Sequence, residues 1–166
     1  MELIGQGYTQ AQTEFKLYKS ESTIKTEGYA VEDNSTAVIL FDGMCNLCSG
    51  IVQFVIPRDP KRHFRFASLQ SETGRMMLSR CQLPTDRFNS FVVVHGVTCR
   101  TKSDAALYVC SRLTGGWRLL RVFAAVPRPI RDRVYDWVAR NRYRLFGQRS
   151  SCFMPDRERD RERFLP

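Results

Sequence analysis

Cys45 and Cys48 are the residues whose type and spacing most directly suggest chemistry. They stand as Cys45-Asn46-Leu47-Cys48, with two residues between the sulfurs. Before them runs Ala37-Val38-Ile39-Leu40-Phe41, a continuous apolar stretch ended by Asp42-Gly43. After them, apolar residues recur at Cys48, Ile51, Val52 and Val55. The first pattern suits a strand buried on both faces, the second an amphipathic helix. A cysteine pair at such a strand-to-helix turn reads as a dithiol that cycles with its disulfide.

Each residue of this turn has a chemical reading. Cys45 falls at the first turn of the helix, where unpaired backbone N–H groups favour the thiolate, the nucleophile of thiol–disulfide exchange. Cys48 lies one turn further on, within reach of the first sulfur, and can resolve a mixed disulfide. Met44 and Leu47 are apolar and available to pack against a substrate. Gly43 allows a tight turn and the close approach of another backbone. Asp42 has two readings, a proton acceptor for a thiol or an acid that stabilises the turn or caps the helix. A half zinc site is the competing reading of the pair. Zinc takes four ligands, and Cys81, Cys99, Cys110, Cys152, His63 and His95 are all isolated from one another. The expected site is therefore free of metal and organic cofactor, with an external reductant recycling the pair. The outlying cysteines are expected to be mostly reduced and buried.

The elements that position the pair follow along the chain. The helix after Cys45 stops at Pro57. His63–Ala67 alternates and predicts a second strand, and Ser71–Cys81 a helix that Gly74 weakens. Phe88–His95 predicts a third strand. A tight turn at His95-Gly96 returns the chain as a fourth, Val97–Arg100. Ser103 is placed to cap a helix running to about Leu113. Gly115-Gly116 breaks the chain. An apolar helix over Trp117–Val126 is then expected to pack on the core. A longer helix ends near Phe146, with Ile130, Val134, Trp137, Val138 and Leu145 as its apolar stripe and Gly147 as its stop. The order from residue 37 is strand, helix, strand, helix, strand, strand, helix, with two extra C-terminal helices. This predicts an α/β, three-layer, thioredoxin-like fold.

Composition bounds the rest. The 166 residues are 43% hydrophobic and 26% charged, a globular balance suited to about one domain. No apolar run is long enough for a membrane span and no secretory signal is visible, so the cytoplasm is the expected compartment. Residues 1–36 carry a net charge of −3, against +12 for residues 37–166, and 21 of the 26 basic residues are Arg. Residues 1–36 read as a polar, mobile extension, 37–150 as the folded domain, and 151–166 as a charged, solvated tail. Residues 117–149 hold nine Arg and two Asp. That suggests an alternative function, a redox-inactive binding module whose Arg-rich helical surface meets an anionic partner. No nucleic-acid motif accompanies it, which weighs against nucleic acid or an anionic membrane.

The run Val38-Ile39-Leu40-Phe41-Asp42-Gly43-Met44-Cys45-Asn46-Leu47-Cys48 resembles the signature of the DCC family of thiol-disulfide oxidoreductases. Further segments resemble that family in the same order. They are Arg58-Asp59-Pro60, Phe64 to Ser71, Ser103-Asp104-Ala105-Ala106, Tyr135-Asp136, Arg140-Asn141-Arg142-Tyr143 and Phe146-Gly147. The resemblance spans roughly residues 37–154. It implies a thioredoxin-like fold and disulfide reduction or exchange, with a disulfide-containing protein or a small thiol as substrate. Thioredoxin-like enzymes place a cis-proline at the start of the strand facing the pair. Here Asn89-Ser90 precedes Phe91 without a proline, so the residue that would hold a substrate backbone beside Cys45 is either missing or replaced by Ser90.

Overall fold

The computed structural model describes residues 36–85, 90–149, 153 and 158–166. The expectations for residues 1–35, for Phe88 and Asn89 and for Cys152 lie outside the described residues. Strand β1 (Ala37–Phe41) is followed by helix α1 (Asn46–Val55), β2 (Phe64–Ser68) and α2 (Glu72–Arg80). The hairpin β3 (Val92–His95) and β4 (Thr98–Thr101) leads directly into α3 (Lys102–Arg112). A 3-10 segment, Gly116–Ala125, precedes the long α4 (Arg128–Phe146), and a single turn, α5 (Glu158–Arg161), lies near the C-terminus. The strands form one mixed sheet in the order β2-β1-β3-β4, with β1 and β2 parallel and the other pairs antiparallel. This is an α/β architecture consistent with a thioredoxin-like fold.

Strand β1 is central, and all five of its residues are buried. Side chains alternate across a strand, so a central strand covered on both faces must be apolar throughout. Ala37, Ile39 and Phe41 face a core shared with Val52 and Val55 of α1 and Ala105 and Val109 of α3. Val38 and Leu40 face the opposite core, with Met77 and Leu78 of α2. Ser71 caps α2 by accepting a hydrogen bond from the Gly74 amide at 3.1 Å. Gly74 weakens the helical pattern for a packing reason. A Cβ there would lie 2.0 Å from the Ser68 carbonyl oxygen, so only glycine lets α2 approach the end of β2 this closely.

Several expectations are corrected. Ser103 does not cap α3. Thr101 occupies the N-cap, and the Ser103 hydroxyl donates instead to Asp132 of α4 at 2.5 Å. The apolar segment after Gly115 is a 3-10 helix with no buried residue; Leu119 is 77% exposed and Val122 69%. Both sheet faces are already covered by α1, α2 and α3, which leaves no core for it to enter. Of the predicted stripe of α4, Val138 faces inward but the rest points outward, with Ile130 54%, Val134 62%, Trp137 58% and Leu145 54% exposed. The inward face is formed by Tyr135, Val138, Ala139 and Arg142, at helical spacing but with a cation among them.

The cysteines are corrected too. Cys81, at the end of α2, is disulfide-bonded to Cys99 of β4, with Cα atoms 5.9 Å apart. The hairpin brings β4 beside the C-terminus of α2, a proximity invisible in their 18-residue separation. Closing a loop of that length contributes about 3 kcal/mol. Cys45, Cys48 and Cys110 are free thiols. The charged tail is not wholly solvated either. Arg163 is buried and pairs with Asp59 at 2.5 Å, and its backbone and that of Leu165 bond to Phe66. The chain end thus runs beside β2 and covers that edge of the sheet. Among the described residues, no helix is long and apolar enough to cross a membrane.

Candidate active site

Cys45 is the N-cap of α1 and Cys48 lies in its first turn. The Cys45 amide donates to the Asp42 carbonyl at 3.2 Å, and its own carbonyl accepts from Ser49 at 2.9 Å, which starts the helix. Its side chain makes no capping hydrogen bond, so the first-turn amides are not engaged by it. Both thiols are free and buried, and they stand close enough for Cys45 to act on the Cys48 thiol. Burial pushes the Cys48 thiol up to about 12. The neighbouring Cys45 adds to the rise, and the Arg142 guanidinium opposes it. Cys48 is therefore held protonated near neutral pH.

Asp42 ends β1 and is almost fully buried, and both its oxygens are engaged. Oδ1 accepts from the Met44 amide at 3.0 Å and from Gln70 Nε2 at 2.9 Å. Oδ2 accepts from Arg142 Nη2 at 2.7 Å and from the Tyr143 hydroxyl. Both side chains of the Asp42–Arg142 ion pair are at most 4% exposed. Burial, and next the bond to Asp42, raises the Tyr143 phenol. The carboxylate thus folds the turn through Met44 and ties β1 to α4, with Gln70 also accepting from the Gly43 amide at 3.3 Å.

The remaining predicted residues separate. Leu47 lines an apolar cavity of about 360 Å³ together with Cys48, Phe91, Cys110, Tyr135 and Arg142. Met44 is 36% exposed at the surface of the turn. Gly43 is buried, and its carbonyl accepts from the Phe153 amide at 3.0 Å. Ser90 lies just before Phe91 and β3. Its hydroxyl is 3.4 Å from the Tyr135 hydroxyl, to which the Phe91 amide also donates, at 2.8 Å.

Cys45 is fully covered. The chain leaving α4 crosses the turn: Gln148 bridges Cys45, and the Arg149 amide donates to the Met44 carbonyl at 2.8 Å. Gly147, at φ 78°, directs that crossing, and Asn46 holds it by donating to the Phe146 carbonyl at 2.9 Å and accepting from Arg149 Nε at 3.0 Å. Cys48 is the sulfur that borders the cavity, while Cys45 lies beneath this crossing.

Residue chemistry alone does not distinguish Arg142, Tyr143 or Gln70 as site residues. Arg142 looks like any other arginine on a basic helix; only the segments Arg140 to Tyr143 and Phe64 to Ser71, which carry the family resemblance, pointed to them. Among the described residues, no group of three or more His, Cys, Asp or Glu could hold a metal ion.

The comparisons with known proteins bear on the same residues. The uncharacterized protein YuxK of Bacillus subtilis (strain 168) is 52% identical over 129 residues, covering 78% of this chain and 93% of that protein. A chloroplastic DCC family protein of Arabidopsis thaliana is 37% identical over 130 residues, covering 78% of this chain and 76% of its own. No solved structure matches. The family model described as DCC1-like thiol-disulfide oxidoreductase matches residues 39–148, from β1 through the cysteine turn to the crossing that covers it. With that match spanning the dithiol, the Asp42–Arg142 pair and the sheet that joins them, the chain belongs to the DCC1-like thiol-disulfide oxidoreductase family.

Proposed function

We propose that the chain exchanges two electrons with disulfide or thiol substrates through Cys45 and Cys48. The observation that carries this reading is the placement of two free thiols at the start of α1, Cys45 at its N-cap and Cys48 in its first turn. In the reducing direction, the crossing at Gln148 and Arg149 moves aside and the Cys45 thiolate attacks one sulfur of a substrate disulfide. The substrate S–S bond breaks, a mixed disulfide forms, and the first substrate thiolate leaves. Cys48 then gives up its proton and attacks the Cys45 sulfur, which releases the second substrate thiolate and leaves the Cys45–Cys48 disulfide. The substrate gains two electrons and two protons, and an external dithiol reductant returns the pair to its starting state.

The roles follow from position. Cys45 meets the open amide end of α1, where developing negative charge is favoured. Cys48, protonated until the first step is over, resolves. Asp42 serves as the turn-forming acid, since its oxygens are occupied by Met44, Gln70, Arg142 and Tyr143. Arg142 positions the turn and, by its charge, eases loss of the Cys48 proton. Leu47 contacts substrate from the apolar cavity, and Met44 from the outer surface. Gly43 shapes the turn, while Ser90 supports Tyr135.

The test is disulfide reduction by single-sulfur variants. Cys45→Ser abolishes turnover, whereas Cys48→Ser accumulates a mixed disulfide on Cys45 that mass spectrometry detects. Unchanged turnover in Cys45→Ser would overturn the assignment.

A further inference from the structure

The nine arginines of residues 117–149 do not form one basic face. Arg142 is spent on Asp42, Arg149 on Asn46, and Arg128 and Arg131 on Asp104 and Asp132. Arg118 and Arg121 instead line a cavity of about 550 Å³ beside α3, together with Arg100 of β4 and Arg112 of α3. The acid in its wall, Asp104, already pairs with Arg128 at 3.1 Å and Arg131 at 2.9 Å. The lining therefore carries a large excess of positive charge that its one carboxylate cannot neutralise.

Two observations show that this is more than crowded surface charge. First, Arg100 Nη1 is buried and has no hydrogen-bond partner, a costly state for a charged donor. Second, two of the guanidiniums are held in place by one ring: those of Arg100 and Arg112 lie 4.5 and 5.5 Å from the centre of Tyr108. A buried, unpartnered guanidinium nitrogen on Arg100, with Arg112 held over the same ring and two more arginines facing the cavity, suits the bidentate recognition of phosphate oxygens. The cavity is also wide enough to hold more than a lone ion.

We infer that this cavity binds a small phosphate-bearing molecule carrying two or more negative charges. Arg100 and Arg112 form the fixed base of the site, and Arg118 and Arg121 on the 3-10 segment close on the ligand from outside. The site stands apart from the cysteines. Ala106, Val109, Cys110 and Leu113 of α3 line the cavity at Cys48, whereas Leu107, Tyr108, Ser111 and Arg112 line this one. The binding therefore does not rest on the redox reading.

Calorimetric titration of the full chain with pyrophosphate at physiological salt tests the inference. Saturable binding at one site is expected, weakened about tenfold or more in Arg118→Gln/Arg121→Gln, which removes two charge-assisted pairs to the ligand. Arg133→Gln/Arg144→Gln, which removes two exposed arginines of α4 outside the cavity, should stay within about twofold if fixed guanidiniums rather than diffuse charge bind the ligand. Three results would each overturn the proposal: no saturable binding, equal weakening in both double variants, or citrate binding more tightly than pyrophosphate.

Discussion

Removing both partners of the Asp42–Arg142 pair should destabilise the fold clearly less than the sum of removing each alone. The pair is 2.7 Å apart with side chains 3–4% exposed, so neither charge can turn to water if the other is lost. In Arg142→Met, Asp42 keeps the Met44 amide, Gln70 and the Tyr143 hydroxyl but no counter-charge. In Asp42→Asn, a buried guanidinium faces a neutral amide. Each single variant should lose about 3–5 kcal/mol, the usual cost of leaving one buried charge uncompensated. The double variant buries no charge in this place, and its loss should fall short of the sum by about 2 kcal/mol or more. Urea unfolding of the four proteins at neutral pH measures this directly, with m-values compared to check that the unfolded states are alike. Single losses below about 1 kcal/mol, or additivity within about 0.5 kcal/mol, would refute the buried pair as the tie between the cysteine turn and α4.

Three further outcomes follow from the same geometry. Gly74→Ala should cost about 3 kcal/mol in urea unfolding because its Cβ meets the Ser68 backbone, where an exposed helical site would gain up to about 1 kcal/mol. Cys48 has a folded pKa of about 12 against an ordinary value of 9.0, so it contributes stability that is complete below pH 9 and lost as pH rises towards 12. Stability measured from pH 9 to 11 should therefore fall less steeply in Cys48→Ala than in the parent, by up to about 1.4 kcal/mol per pH unit. Asn46→Ala removes two hydrogen bonds holding the crossing over Cys45, worth about 1 kcal/mol together. Alkylation of Cys45 should then speed up about fivefold, and an unchanged rate would show that the crossing does not limit access.

The elements that carry the sheet were legible because burial on both faces leaves a plain signal. Ala37–Phe41 could hardly be anything but a central strand, and Pro57, Gly96 and Gly147 end or turn their elements as their chemistry demands. The cysteine pair was legible for the same reason, since a strand-to-helix turn frames it. The rest depended on contacts between distant segments. Cys81 and Cys99 are brought together by a hairpin whose register no local pattern reveals. Arg163 looks solvated among alternating charges, yet it meets Asp59, about a hundred residues earlier. In α4 hydropathy misplaces most of the stripe, because Ile130, Val134, Trp137 and Leu145 face outward while Arg142 faces inward beside Tyr135, Val138 and Ala139. Arg142 is hidden for the complementary reason: one arginine of nine is buried, and only Asp42 distinguishes it.

The reversible bond between Cys45 and Cys48 is the point on which the account turns, and mass spectrometry of differentially alkylated protein across a glutathione redox series measures it. These two sulfurs should pass together from doubly alkylated to disulfide-linked over a single two-electron transition, and return when the buffer is made reducing. Two sulfurs that label independently across the series, or that never form the bond under oxidising conditions in which Cys81 and Cys99 do, would contradict it.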